Sequence, residues 1–112
     1  LAPFAIADLD GDGVTEIAYI DRPHLAKTLR VWRYDRNGLH QIAEQGGLSN
    51  HRIGWDYILG GVRDCGAGPE MVLATGDWRS VVALRLQGGV LTQHRIDGAA
   101  NRASVDQALR CS

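Results

Sequence analysis

The chain has 112 residues, of which 45% are hydrophobic and 22% charged, and its formal net charge is −1. That composition is of a folded domain rather than a disordered segment, and it gives no electrostatic reason to expect nucleic acid or an anionic membrane surface as a partner. No apolar run approaches the roughly 20 residues of a membrane span, and the two cysteines are too few for a disulfide scaffold and fit no zinc spacing.

Strand signals dominate from the first residues. Pro3 to Leu9 (PFAIADL) is a short apolar run that ends in an acidic loop, and Glu16 to Asp21 (EIAYID) follows it directly. Thr28 to Asp35 (TLRVWRYD) is β-branched and aromatic, and runs into Asn37-Gly38, a strong tight-turn dipeptide, then Leu39 to Ala43. A polar, glycine-containing linker without periodicity comes next (EQGGLSNHRIG). Tyr57 to Val62, Glu70 to Thr75, Ser80 to Leu86 and Val90 to Ile96 are four further predicted strands, with Gly88-Gly89 where Asn37-Gly38 stood before. From Asn101 to Arg110 the pattern changes. Ala103, Val105, Ala108 and Leu109 form a weak helical stripe that Asn101 or Ser104 could cap.

The two halves repeat. Glu16-Ile17-Ala18 corresponds to Glu70-Met71-Val72, 54 positions later, and Leu39 corresponds to Leu91, 52 positions later. The expected fold is therefore all-β: two four-stranded antiparallel β-propeller blades, followed by a short C-terminal helix or tail. The expected division of the single domain is a first unit over 1–45, a linker over 46–55, a second unit over 56–98 and a tail over 99–112. Propellers typically need about four to eight blades. Two units thus form part of a longer propeller, pack on each other as a sandwich, or assemble with other chains. A chain that opens at Leu1 inside a strand and closes on a tail suits the C-terminal part of a longer propeller best.

Asp8 to Glu16 (DLDGDGVTE) gathers four carboxylates in nine residues. A hard cation explains such crowding, because calcium takes six to eight oxygens from carboxylates, backbone carbonyls and water. In a curled loop Asp8, Asp10 and Asp12 can converge, with Gly11 and Gly13 supplying the positive φ of the curl. The Val14 carbonyl and the Glu16 carboxylate complete the candidate set. An EF-hand would need a glutamate at the twelfth loop position, which is Tyr19, and helical flanks. The competing explanation is an acidic, glycine-rich hairpin with no ion.

The stretch IADLDGDGVTEIAYI resembles the FG-GAP or VCBS repeat of integrin α-subunit propellers and of many secreted bacterial proteins. Asp8, Asp10, Asp12, Gly13, Glu16 and Ile17 fit the D-x-D-x-D-G-x-x-[DE]-[IL] pattern of that family. The resemblance implies a calcium loop between adjacent strands. Aligned on Glu70, the second unit reads V-R-D-C-G-A-G-P-E. Asp64 then matches Asp10, while Val62 replaces Asp8 and Gly66 replaces Asp12. No metal is expected there. Cys65 stands where Gly11 stood, and a Cys65–Cys111 disulfide would pin the tail to the second loop; two separate thiols are the alternative.

The remaining polar residues make no catalytic constellation. His24, His40, His51 and His94 are scattered, and Ser80 and Ser104 lack an elbow. Trp32, Trp55 and Trp78 are expected in packing, and Lys27, Arg30, Arg33 and Arg36 on a solvated face. The expected function is non-catalytic: a calcium-binding repeat module for protein interaction or assembly, extracellular or periplasmic. Its partner would be another protein or further blades, on another chain if need be. The alternative is the propeller portion of a secreted enzyme or carbohydrate-binding protein whose active residues lie elsewhere, and a purely structural assembly subunit is a third reading.

Overall fold

Nine strands and one helix follow in chain order in the computed structural model, which describes residues 2–11, 13–22, 27–51, 59–66, 68–96 and 100–111. The strands are β1 (Ala2–Ala7), β2 (Thr15–Asp21), β3 (Thr28–Asp35), β4 (Gly38–Gln45), β5 (Leu48–Ser49), β6 (Gly61–Asp64), β7 (Pro69–Thr75), β8 (Val81–Gln87) and β9 (Val90–Ile96). The helix α1 spans Arg102–Leu109. The chain is thus predominantly β, and its strands form two antiparallel sheets.

The first sheet is a meander in the order β1-β2-β3-β4. Two-residue turns at Arg36-Asn37 and Gly88-Gly89 close its last hairpin and the equivalent one in the second sheet. The second sheet departs from the expected four strands. It has five, because β5 and β6 both pair with the same edge of β7 and divide one strand position between them. Strand β5 lies in the segment expected to be a plain linker. Strand β6 runs from Gly61 to Asp64, so the strand expected over Tyr57–Val62 is displaced toward the loop, and Tyr57 and Ile58 lie outside the described residues.

Gly60 shows why the strand starts so late. Its φ of 103° lies in a region that L side chains avoid, and a Cβ there would meet the Val72 carbonyl oxygen at 2.7 Å. The backbone must bend tightly over β7 before pairing can begin.

Strict alternation puts one face of the first sheet against the second. Ala5, Ala18, Ile20, Leu29 and Val31 from the first sheet join Met71, Leu73, Val82, Leu84 and Leu86 from the second in one core. Strand β1 lies beside β6 and β4 beside β9, so the sheets stack with like strands in register. At the far end, Lys27 Nζ donates to the Gly76 carbonyl across the two sheets at 2.7 Å. The other face of the second sheet is buried too. Val105 and Ala108 of α1 pack there against Leu59, Val72 and Val81, with Trp78, Ile96 and Leu109 around them. Strands β7 and β8 are thus covered on both sides, which is why PEMVLAT and VVALRL read as continuous apolar runs rather than alternating ones.

Helix α1 begins where a cap is available. The Asn101 side chain accepts a hydrogen bond from Ser104 N at 2.9 Å, so Asn101 rather than Ser104 is the N-cap. Its other end is tied down twice. The Cys65 and Cys111 sulfurs are bonded, and Arg63 Nη1 donates to the Ala108 carbonyl at 3.2 Å.

Registers align the two sheets residue by residue. Glu16 pairs with Arg33 across β2 and β3, and Met71 pairs with Leu84, which brings Arg85 to the place of Arg33. Ile6, Ile17, Tyr19, Trp32, Tyr34 and Leu39 in the first sheet correspond to Val62, Met71, Leu73, Leu84, Leu86 and Leu91 in the second.

The expectation of a solvated basic face is corrected. Arg30 makes ion pairs with Asp21 at 2.9 Å and Glu44 at 2.8 Å. With Arg22, its neighbour in this pair, it holds the Asp21 carboxyl below the usual range, Arg22 having the larger effect. Lys27 spans the sheets and Arg33 enters the acidic loop, as described below. Only Arg36 is left exposed among these four. Trp78 takes part in packing, Trp32 lies half-buried on the other face of the first sheet with its Nε1 donating to the Tyr19 hydroxyl at 3.3 Å, and Trp55 lies outside the described residues.

Candidate metal centre

The acidic loop joins β1 to β2 and closes on itself through one carboxylate. Asp8 accepts hydrogen bonds from Gly11 N on one oxygen and from Gly13 N on the other, each at 2.8 Å. These bonds are possible because Gly11 and Gly13 take φ of 78° and 86°, turning their N–H groups inward. The loop then enters β2 at Thr15, and Glu16 is its first residue to be wholly buried.

Glu16 holds the loop from below. Its Oε1 accepts from Leu9 N at 2.8 Å, which fixes the far side of the turn. Its Oε2 lies 3.6 Å from Arg33 Nε, the cross-strand neighbour on β3. The same guanidinium donates through Nη2 to Asp10 Oδ2 at 2.9 Å. One arginine therefore lies between Asp10 and Glu16.

Asp8, Asp10 and Glu16 each offer a carboxylate oxygen within 4.8 Å of the others. Val14 is half-buried just before β2, and Asp12 lies outside the described residues. The structure thus brings three of the five expected ligands together. The donor set is of the kind a hard cation takes, since carboxylate oxygens are the usual calcium ligands. What the sequence reading missed is Arg33, a fixed positive group inside the same cluster. The signal was present: Arg33 and Arg85 stand 52 positions apart, the same spacing as Leu39 and Leu91.

In the second unit the loop is rebuilt. The ladder pairs Ala7 with Glu16 and Arg63 with Glu70, so Asp64, one residue on from Arg63, occupies the place of Asp8 and not that of Asp10. Its behaviour agrees, because Asp64 Oδ1 accepts from Gly66 N at 2.9 Å and from Gly68 N at 3.3 Å. The second loop is two residues shorter, and an ungapped alignment on Glu70 conceals this.

Glu70 is buried like Glu16, and two guanidinium groups and a histidine ring lie around it. Arg63 Nε lies 3.1 Å from Oε1, Arg85 Nη2 lies 3.3 Å from Oε2, and His94 Nε2 lies 3.7 Å from Oε2. Arg63 replaces Ala7, and the aspartate corresponding to Asp10 is gone. A second guanidinium thus faces the buried glutamate where the first unit has its acidic loop. The disulfide sits on this loop and adds the covalent tie to the helix.

A shallow cleft of about 170 Å³ separates the two loops, lined in part by Asp10, Gly11, Gly68 and Arg85. The acidic loop is open to it. No protein-family model, curated protein or solved structure matches the chain.

Proposed function

We propose that the chain is a non-catalytic, calcium-stabilised repeat module of the FG-GAP/VCBS kind that serves protein interaction or assembly. The convergence of Asp8, Asp10 and Glu16 within 4.8 Å carries this reading. Asp8, Asp10 and Glu16 would hold the ion, with Asp12 and the Val14 carbonyl completing the set. The ion would add positive charge to what Arg33 brings to the loop, and it would join the start of the loop to β2. The two sheets, with a repeated Glu–Arg pair in each, support reading them as blade-like units of a larger propeller. The disulfide suits an oxidising compartment, extracellular or periplasmic. Among the described residues no helix is long and apolar enough to cross a membrane.

Calcium that binds only the native state raises the melting temperature in proportion to RT ln(1 + [L]/Kd). Sites of this ligand type in extracellular modules bind at roughly 10⁻⁴–10⁻³ M. A thermal melt in a few millimolar calcium, on the order of ten times such a Kd, is expected to run several degrees above one in chelator. Asp10→Ala is expected to abolish the difference. Coincident melts of the parent chain in the two buffers would remove the basis for the site.

A further inference from the structure

The two sheets do not meet by like faces. The first offers the side bearing Glu16, Ala18, Val31 and Arg33. The second receives it on the side bearing Met71, Leu73, Leu84 and Leu86. The Glu70, Val72 and Arg85 side of the second sheet, equivalent to the side the first sheet offers, points the other way, and α1 packs on it at Val72 and Val81. This is head-to-tail stacking, and head-to-tail interfaces repeat until something stops them. Helix α1 is the stop at one end.

At the other end is the outer face of the first sheet. Its residues Ile6, Ile17, Tyr19, Trp32, Tyr34 and Leu39 correspond one by one to those by which the second sheet buries itself against the first. Three of the six are exposed, Ile6 at 72%, Tyr34 at 63% and Leu39 at 50%, and Ile17, Tyr19 and Trp32 are half-buried. We propose that this face docks a further β-sheet of the same kind, one presenting small aliphatic side chains around a buried Glu–Arg pair. The interface already formed between the two sheets is its template. A second copy of this chain is not the occupant. Its first such face is buried under its own second sheet, and its second is covered by its own α1. The inference gives a partner to the assembly reading above but makes no use of the ion.

Uncapping the chain turns it into its own probe. In full-length Val105→Asp/Ala108→Asp the helix carries charge on its buried side and leaves the sheet, exposing the face that the partner would present. Sedimentation velocity, in calcium and in chelator, is expected to show the parent chain as a monomer. The uncapped variant is expected to shift to dimers and larger species as concentration rises, and added parent chain to shorten them. Adding Trp32→Lys and Tyr34→Lys to the uncapped variant should restore the monomer. An uncapped variant that keeps its near-ultraviolet dichroism yet stays monomeric would overturn the proposal. So would association that survives the lysines, or a parent-chain dimer that the lysines abolish. If the charged helix prevents folding, Cys65→Ser/Cys111→Ser with Arg63→Ala cuts both described ties of α1 and is read the same way. Association in chelator that fails to appear speaks against the face alone, and a calcium melt without a shift speaks against the ion alone.

Discussion

Glu16 and Glu70 occupy the same place in successive sheets, and both are buried. A buried carboxylate needs a counter-charge or it destabilises the fold. Each has one from the neighbouring strand, Arg33 or Arg85, and there the two diverge. Glu70 gains Arg63 as a second guanidinium, whereas Glu16 shares Arg33 with Asp10. Arg33 thus supports the loop without an ion and, under the calcium reading proposed above, would compete with the ion. Arg33→Gln is expected to cost about 1–2 kcal/mol in chelator, discounted for the partial exposure of the arginine. The same substitution is expected to enlarge the calcium-induced rise in melting temperature above that of the parent chain. Paired melts of both proteins in both buffers check it, and a smaller rise would mean that Arg33 assists the ion. The acids of this site were legible because carboxylates two residues apart have few other uses. Arg33 was not, because its partners are 17 and 23 positions away and only strand register brings them together.

Most elements follow from local pattern. Alternation marks β2 and β3, the Arg36-Asn37 turn followed by Gly38 at positive φ closes the last hairpin of the first sheet, and Asn101 caps α1. The exceptions come from long-range terms. Strand β5 has two residues, too few for any periodicity, and exists because Leu48 and Ser49 find the free edge of β7. Strand β6 begins beyond its apolar run because Gly60 must turn over the Val72 carbonyl. Gly60→Ala combines a disfavoured φ with a 2.7 Å contact on backbone, so neither can be relieved by a rotamer change. It is expected to destabilise by about 2 kcal/mol or more, against a few tenths for an ordinary surface substitution. Urea titration at constant m-value reads the change directly. The shorter second loop belongs at this scale as well. The second loop is two residues shorter between Asp64 and Glu70, it carries Cys65, and Arg63 stands before it in the place of Ala7.

Across the whole molecule the layers run first sheet, second sheet, helix. Composition and repeat length were enough to suggest two stacked β units. Which faces meet was not legible, since the six outward residues of the first sheet are as apolar as the six inward residues of the second. The stack is polar in direction: one end is capped and the other presents aromatic side chains. Its covalent tie, the Cys65–Cys111 bridge, spans 46 residues and contributes about 4 kcal/mol in the chain-entropy model.

That bridge also bears on the order of folding. Apart from β5 with β7, every pairing within the sheets joins consecutive strands, so each meander can form from local contacts. The two sulfurs meet only after β6 to β9 have paired and α1 has settled on their outer face, because Cys65 lies on the loop after β6 and Cys111 just beyond the helix. Thiol trapping during refolding from the reduced, unfolded chain is therefore expected to show sheet dichroism recovering ahead of thiol loss. Val105→Ala, which weakens only the helix contact, is expected to slow the second event and leave the first unchanged. Thiol loss that precedes sheet formation would reverse that order. Oxidation then serves as a built-in timestamp for the moment the last layer closes.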